Sequence, residues 1–389
     1  MALNTFLNTQ IELKKLKFHT ADQEGKSKCV KLHIGGAKRG FCPELKVHGT
    51  KMPEVLSETY LGDILCSDGK NTKNIKNRIS KGLGIIAQIM NILDDVNFGP
   101  HYFKIALLLR ESMLINGTIT NAEIWYNFNQ NEVQEFQNLD KLFFRRILRV
   151  PKSTPTEAFY LETGAIPIGL IIQSRRLNYL HRILKSDHSG MLYKFFIAQW
   201  KNPSKGDWTE QVKADLIEFG ISMDFNDIKR KSKDAFKRLV KSRTKEIAFR
   251  KLSKMKNEHS KMSNLEYSEL EIRNYLLRED LKTEQKRILF KYRTRMAEYG
   301  ENFRAGRAQV MCPICDSHLD SQILGFQCSV LTTTIKVKGN YNEIYEEENI
   351  KRETVQTLEM ITNFRKERTM PFGAHVSHCS LQNTGAARS

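Results

Sequence analysis

The chain has 389 residues, 40% of them hydrophobic, and a formal net charge of +18. That is enough to bury real cores in two or three modest domains, which excludes wholesale disorder, and no stretch reaches the ~20 apolar residues of a membrane span. So positive a balance is unlike that of a typical soluble enzyme and favours a polyanionic partner, nucleic acid or an acidic membrane surface.

In chain order, "IELKKLKFHT" reads as a short amphipathic helix and "CVKLHIGG" as an alternating strand ended by glycines. "TYLGDILCSDGK" reads as a strand running into a turn at Ser67, Asp68 and Gly69. From there the chain is almost wholly helical. Asn71 or Thr72 can cap a helix whose apolar face is Ile75, Ile79, Ile85, Ile86, Ile89 and Leu93. "YFKIALLLRESMLINGTI" is apolar around most of its circumference, as a central buried helix would be. Val133, Phe136, Leu139, Phe143 and Ile147 mark a third helix that stops before Pro151. Together the three predict a compact bundle packed around Ile86, Leu108, Phe143 and Leu177.

Pro155 and Pro167 each stand where a first helical turn can begin. The helix after Pro167 sets Arg175, Arg176, His181, Arg182 and Lys185 opposite its leucines. "KNPSKGDW" reads as a linker, and "YGENFRAGRAQV" as a second break. Between them, residues 229–261 hold fourteen Lys/Arg against three Asp/Glu. Phe236, Val240, Ile247, Leu252 and Met255 recur there at roughly helical spacing, giving one apolar stripe on an otherwise cationic helix. Such a run can be a solvated face, or it can bind phosphates.

Seven cysteines is an odd count, and Cys29, Cys42, Cys66 and Cys379 are scattered singly. This argues against a disulfide framework and for a reducing, intracellular compartment, with nucleus and cytoplasm left open. No apolar segment follows Met1 in the manner of a secretory signal.

Four segments in this order, "KSKCVKLHIG", "ETYLGDILCSDGKNTKNIKNRISKGLGII", "YLETGAIPIGLIIQSRRLNYLHRIL" and "CPICDSHLDSQILGFQC", resemble the downstream half of a non-LTR (LINE-type) retrotransposon reverse transcriptase. The resemblance implies that Lys26 and Lys28 close a polymerase palm and that Tyr60, Leu61 and Gly62 belong to a primer-gripping hairpin. It implies that the following helices form a thumb along a nucleic-acid duplex, and that the cysteines belong to a Cys/His knuckle. Polymerisation needs two metal ions held by aspartates; in the family these precede the segment at which this chain starts. The one Asp-Asp here, Asp94-Asp95, follows a helical run and reads as a helix end. Magnesium is therefore expected only in a full-length parent protein. No nuclease motif follows Cys328, where a charged stretch reads as one solvent-exposed helix.

The family's knuckle places a histidine four residues before its last cysteine, and Leu324 stands there instead. A tetrahedral zinc site needs four donors. His318 completes a Cys-x2-Cys-x2-His-x9-Cys set with Cys312, Cys315 and Cys328, while Cys379, His375 or His378 would serve only if the tail folds back. The other reading is a decayed knuckle with three reduced cysteines in a loop.

The expected fold is mainly α: a small α/β remnant of a polymerase palm, then a helical thumb bundle, then further basic helices. Residues 1–70 take the partial palm and hairpin, 71–200 the thumb-like bundle, 209–305 a basic helical region, 311–330 the degenerate knuckle, and 340–389 a charged helix and tail. The expected function is that of a truncated reverse-transcriptase remnant without polymerase activity of its own. It would bind RNA or DNA duplex non-specifically through Lys26, Lys28, Tyr60, Gly62, Arg175, Arg176, Lys237, Arg238 and Lys241, with no membrane partner. Two readings stand beside it: a fragment of an active RNA-directed DNA polymerase, and a domesticated protein-interaction module.

Overall fold

The structure, a computed structural model, describes residues 31–32, 46–47, 50–51, 53–60, 62–96, 98–125, 129–303, 311–346, 348 and 350–369. Within them the chain is mainly helical, with its strands confined to three two-stranded pieces. Strand β1 (Lys31–Leu32) precedes β2 (Lys46–Val47) and β3 (Thr50–Lys51), which pair antiparallel. β1 pairs in parallel with β4 (Glu54–Val55).

β5 (Ser57–Tyr60) and β6 (Asp63–Cys66) form an antiparallel hairpin with Tyr60 opposite Asp63. The sequence pattern predicts one continuous strand over "TYLGDILC". It is instead folded in two at Gly62, whose φ of +84° is costly for any residue with a Cβ. The expected turn after Cys66 is present, with the Gly69 N–H donating to the Cys66 carbonyl at 3.0 Å.

The first helix, α1 (Thr72–Asp95), buries Ile75, Ile86, Ile89 and Leu93, as its spacing predicts. Its first turns are tied to the hairpin through Asp63, which accepts from Asn74 and Arg78, both at 2.9 Å. Burial raises the Asp63 carboxyl, but Arg78, Asn121 and Asn74 outweigh that and hold it below the usual carboxylate range.

The expected central helix is α2 (Tyr102–Leu109) followed by a wider π turn from Arg110 to Ile115. Its inward positions are Phe103, Ala106, Arg110 and Leu114, one helical face, and Leu108 falls off that face and is 60% exposed. Leu108 is therefore not the core residue the periodicity suggested. Helix α3 (Gln130–Leu148) buries Phe136, Leu139, Phe143 and Ile147 as expected. α4 (Thr156–Thr163) begins after Pro155 and ends at Gly164, with φ +68°. A Cβ there would lie within 2.8 Å of the Glu271 and Ile272 backbone.

α5 (Ile168–Lys185) and α6 (Met191–Lys201) follow, and the predicted linker separates them from α7 (Trp208–Glu218). Then come α8 (Phe225–Arg230), the long basic α9 (Lys233–Glu258), α10 (Asn274–Leu277) and α11 (Thr283–Arg293). The remaining helices are α12 (Gly300–Phe303), α13 (Gln322–Gln327), α14 (Ser329–Ile335) and α15 (Arg352–Thr369). No described helix is long and apolar enough to cross a membrane.

The packing groups these elements into two compact units, each built from three separate stretches. Unit 1 comprises Met1–Gly84, Ile115–Phe136 and Ile172–Val240. Its core gathers Leu177, Leu180, Ile183 and Leu184 with Phe196, Val212, Leu216, Ile228, Phe236 and Val240. Unit 2 comprises Ile85–Leu114, Gln137–Ile171 and Lys241–Ser389. The expected division followed consecutive blocks, but residues of the thumb-like block 71–200 contribute to both units.

At the centre of unit 2 the rings of Phe144, Phe159 and Phe290 lie nearly parallel, with centroid separations of 5.6 and 6.3 Å. Beside them the buried Arg110 forms a two-point ion pair with Asp140 at 2.7 and 2.6 Å, and Tyr160 donates to the same carboxylate at 2.9 Å. The stretch beyond Cys328 is not one solvent-exposed helix. It holds α14 and α15 with a short 3-10 turn between them, and α15 buries Val355, Leu358 and Ile361. Arg365 on α15 pairs with Asp320 at 2.9 Å.

Candidate nucleic-acid groove and metal centre

Unit 1 carries a groove of about 630 Å³ lined by α5 and the first turn and a half of α9. On α5, Arg175, Asn178, Tyr179, Arg182 and Lys185 recur at three- and four-residue steps, so one helical face supplies them all. Lys233 and Lys237, four apart on α9, complete the lining. Five cations thus meet one carboxylate, Glu123. Lys185, Lys233 and Lys237 are exposed and have no carboxylate partner among the described residues. Arg175 is already engaged, donating to the Ile119 carbonyl at 2.9 Å and to Asn116 Oδ1 at 2.6 Å. Arg182 lies 4.7 Å over the Tyr179 ring.

The predicted contact residues separate here. Lys237 lines the groove, whereas Arg238 and Lys241 are exposed elsewhere on α9. Arg176 is a correction: it is 5% exposed and pairs with Asp215 at 3.2 Å, so its charge is spent inside unit 1. Burial lowers its pKa, and Asp215 offsets part of that. His181 is likewise inside, stacked on Phe236 at 4.7 Å with Nε2 3.1 Å from the Lys231 carbonyl. Tyr60 is exposed at the end of β5 and Gly62 makes the hairpin turn, while Lys26 and Lys28 lie outside the described residues. Asp94 and Asp95 close α1 on its exposed side, the position expected of a helix end. Tyr179 is absent from the residues the sequence singles out, and Lys233 is there only as one of the basic run 229–261; the step pattern along α5 and the four-residue spacing on α9 are the signals that mark them.

In unit 2, Cys312, Cys315, His318 and Cys328 converge, with one candidate donor atom from each lying within 4.8 Å of the others. A small hairpin brings the first three together: Met311 bridges Leu319, the Cys312 N–H donates to the His318 carbonyl at 2.7 Å, and Asp316 takes a left-handed φ of +50° at the turn. Cys328 arrives from the end of α13 and is fully buried. Leu324, in the position where the resembled knuckle has a histidine, sits on α13 and supplies no donor. Cys379, His375 and His378 lie outside the described residues.

The chemistry of these four groups fits a metal. His318 Nδ1 is 3.1 Å from the Leu319 carbonyl, which fixes the proton there and leaves Nε2 as the lone-pair atom. That Nε2 is buried and has no hydrogen-bond partner among the described residues. The Leu331 backbone N–H supports the Cys328 sulfur, yet burial and the two neighbouring thiols push the Cys328 pKa up. Burial opposes ionisation of Cys315 too, but the Ser317 N–H, both other thiols and His318 bring it down to about 7. Three thiolates this close repel one another unless a cation lies between them. With Zn–S bonds of about 2.3 Å, sulfurs of a tetrahedral site are about 3.8 Å apart, and the four donors here all lie within 4.8 Å of one another. The cluster can hold a metal such as zinc.

No family model, curated protein or solved structure matches this chain.

Proposed function

We propose that this chain binds nucleic acid non-specifically through the cationic groove of unit 1, and that its helices correspond to the thumb and knuckle region of a LINE-type reverse transcriptase. The observation that carries the binding is the set of exposed lysines, without a carboxylate partner among the described residues, gathered from two helices onto one groove. Phosphate contacts of this kind position a polyanion without reading bases. Affinity for any oligonucleotide should then fall with salt by about 0.9 log units per log unit of salt for each duplex phosphate contact. The Lys185→Ala/Lys233→Ala/Lys237→Ala variant should bind at least about tenfold more weakly at moderate salt and show a slope shallower by about 2–3. Fluorescence anisotropy across a salt series measures both, and a variant that keeps the parent's affinity and slope removes the groove from consideration.

We further propose that the Cys3His cluster holds one zinc ion that ties the 311–319 hairpin to the end of α13. Zinc withdraws the three thiolates and His318 Nε2 from their mutual repulsion and orphaned state, a structural role that needs no open coordination position. Protein purified without chelator should carry one zinc per chain by elemental analysis, and cobalt substitution should give the visible bands of a tetrahedral thiolate site. His318→Ala should weaken metal binding by about 10–100-fold or more, whereas His375→Ala/His378→Ala should leave it unchanged. The reverse result would hand the fourth position to the tail.

A further inference from the structure

The adjoining flank of α5 opens on a second groove in unit 1, about 380 Å³, formed by Leu192, Phe195 and Phe196 of α6 with Ile124 and Trp208. Leu192, Phe195 and Phe196 stand at i, i+3 and i+4, one face of the helix. Phe195 is 67% exposed, and Leu192 and Ile124 are each 48% exposed. A lone exposed apolar side chain asks for no explanation, but three flanking one groove do.

What names the occupant is continuity with the cations. Tyr179 lines both grooves, and the adjacent residues Glu123 and Ile124 divide between them. The aromatic floor is fixed in place: Trp208 meets Tyr179 edge-on at 5.7 Å and 89°, and its indole N–H donates to the Glu123 carbonyl at 2.7 Å. A ligand seated here meets positive charge on one side of Tyr179 and flat apolar surface on the other. Duplex nucleic acid presents the phosphates but keeps its base faces stacked inside. A single strand presents both, and stacking tolerates any base because every base has a π-face. A short acidic peptide could also satisfy a few cations. The chain's charge of +18 extends the positive field far beyond what such a peptide would neutralise.

We infer that the joined grooves of unit 1 take single-stranded nucleic acid, its phosphates along the cations of α5 and α9 and its unpaired bases against Phe195 and the Tyr179–Trp208 floor. This rests on the phosphate-binding reading above and adds the substrate class to it.

The test uses the full chain and three fluorescent ligands of equal length, roughly 16 nucleotides: a thymidine single strand, an abasic single strand and a duplex. The thymidine strand should bind about tenfold or more tightly than the abasic strand, which has the same phosphates and no bases. Phe195→Ala should weaken thymidine-strand binding about tenfold and leave the abasic strand unchanged, and Phe195→Tyr should restore it. Equal binding of the thymidine and abasic strands, with Phe195→Ala silent, overturns the inference while leaving the cationic groove standing. So does a Phe195→Ala variant that dissociates a dimer without altering strand binding, which assigns the face to a second copy of the chain. If no oligonucleotide binds at all, both readings fall together.

Discussion

Replacing Arg293 with methionine lowers the unfolding free energy of unit 2 by about 3–5 kcal/mol, because it leaves a buried carboxylate without its counter-charge. Glu162 is fully buried. Arg293 reaches it from α11 with Nε at 3.1 Å from Oε2 and Nη2 at 3.2 Å from Oε1. The same guanidinium donates to the Ile344 carbonyl and lies 5.1 Å over the Tyr275 ring. In the variant, Glu162 keeps the hydroxyl of Tyr267, at 2.6 Å, as a neutral donor. One neutral hydrogen bond does not replace a charge-assisted pair. The double variant Arg293→Met/Glu162→Leu should recover most of the loss, since two apolar groups of similar volume need no counter-charge. Urea denaturation of the four proteins of this cycle measures the coupling. A single variant that unfolds at the parental midpoint would mean that Glu162 is neutral or wet, contrary to its burial.

That pair also shows what was legible in the sequence. The helical faces of α1 and α3 could be read because a 3.6-residue period is local: Ile75, Ile86 and Ile89, or Phe136, Leu139 and Phe143, mark their own inward side. The fate of a cation could not be read this way. Arg293 and Arg365 sit on helices rich in charge and look solvated, and Arg110 is a lone cation on an apolar helix, yet each is buried against a carboxylate, 131, 45 and 30 residues away respectively. Local sequence holds no record of such partners. Helix α11, "TEQKRILFKYR", therefore looked like part of a basic outer region although it buries Leu289, Phe290, Tyr292 and Arg293. Arg176 failed as a surface contact for the same reason.

The cysteine cluster was legible in part. The spacing of Cys312, Cys315 and Cys328 pointed to a metal, but spacing could not choose among His318, Cys379 or the histidines of the tail, and no fourth ligand at all. What places His318 with the cysteines is the hairpin turned at Asp316, which folds the histidine back beside Cys312. The groove was the least legible feature. It depends on α5 and the start of α9 lying side by side, and the 47 residues of chain between them say nothing about that.

Raising the pH should unfold unit 2 in one steep step beginning near pH 10. Tyr160, Tyr275, Tyr292, Tyr299 and Tyr341 are all buried there. Burial pushes every one of these phenols above the ordinary tyrosine value of about 10; for Tyr160 the neighbouring Asp140 carboxylate adds to it. The folded phenols hold their protons where the unfolded ones release them. Their contribution is thus intact below the unfolded pKa and is lost as pH rises beyond it. Each such proton changes stability by about 1.4 kcal/mol per pH unit, so five together remove about 7 kcal/mol per unit. A domain with a total stability of roughly 5–15 kcal/mol survives only about one to two such units. Lys286 acts with the opposite sign at lower pH. It is fully buried, with Nζ donating to the Pro100 carbonyl at 2.6 Å, and burial lowers its pKa to about 8. Between that value and the unfolded lysine value of about 10.5 the unfolded state binds the extra proton, so rising pH adds stability, by about 3 kcal/mol in all. Stability should therefore climb gently from pH 8, pass a maximum near 10 and then collapse. Circular dichroism and the ultraviolet absorbance of tyrosinate, followed in one titration, should show helix loss and phenol ionisation together, and Tyr275→Phe should move the midpoint upward. If these tyrosines ionise near pH 10 while the helices persist, they face water rather than the core of unit 2.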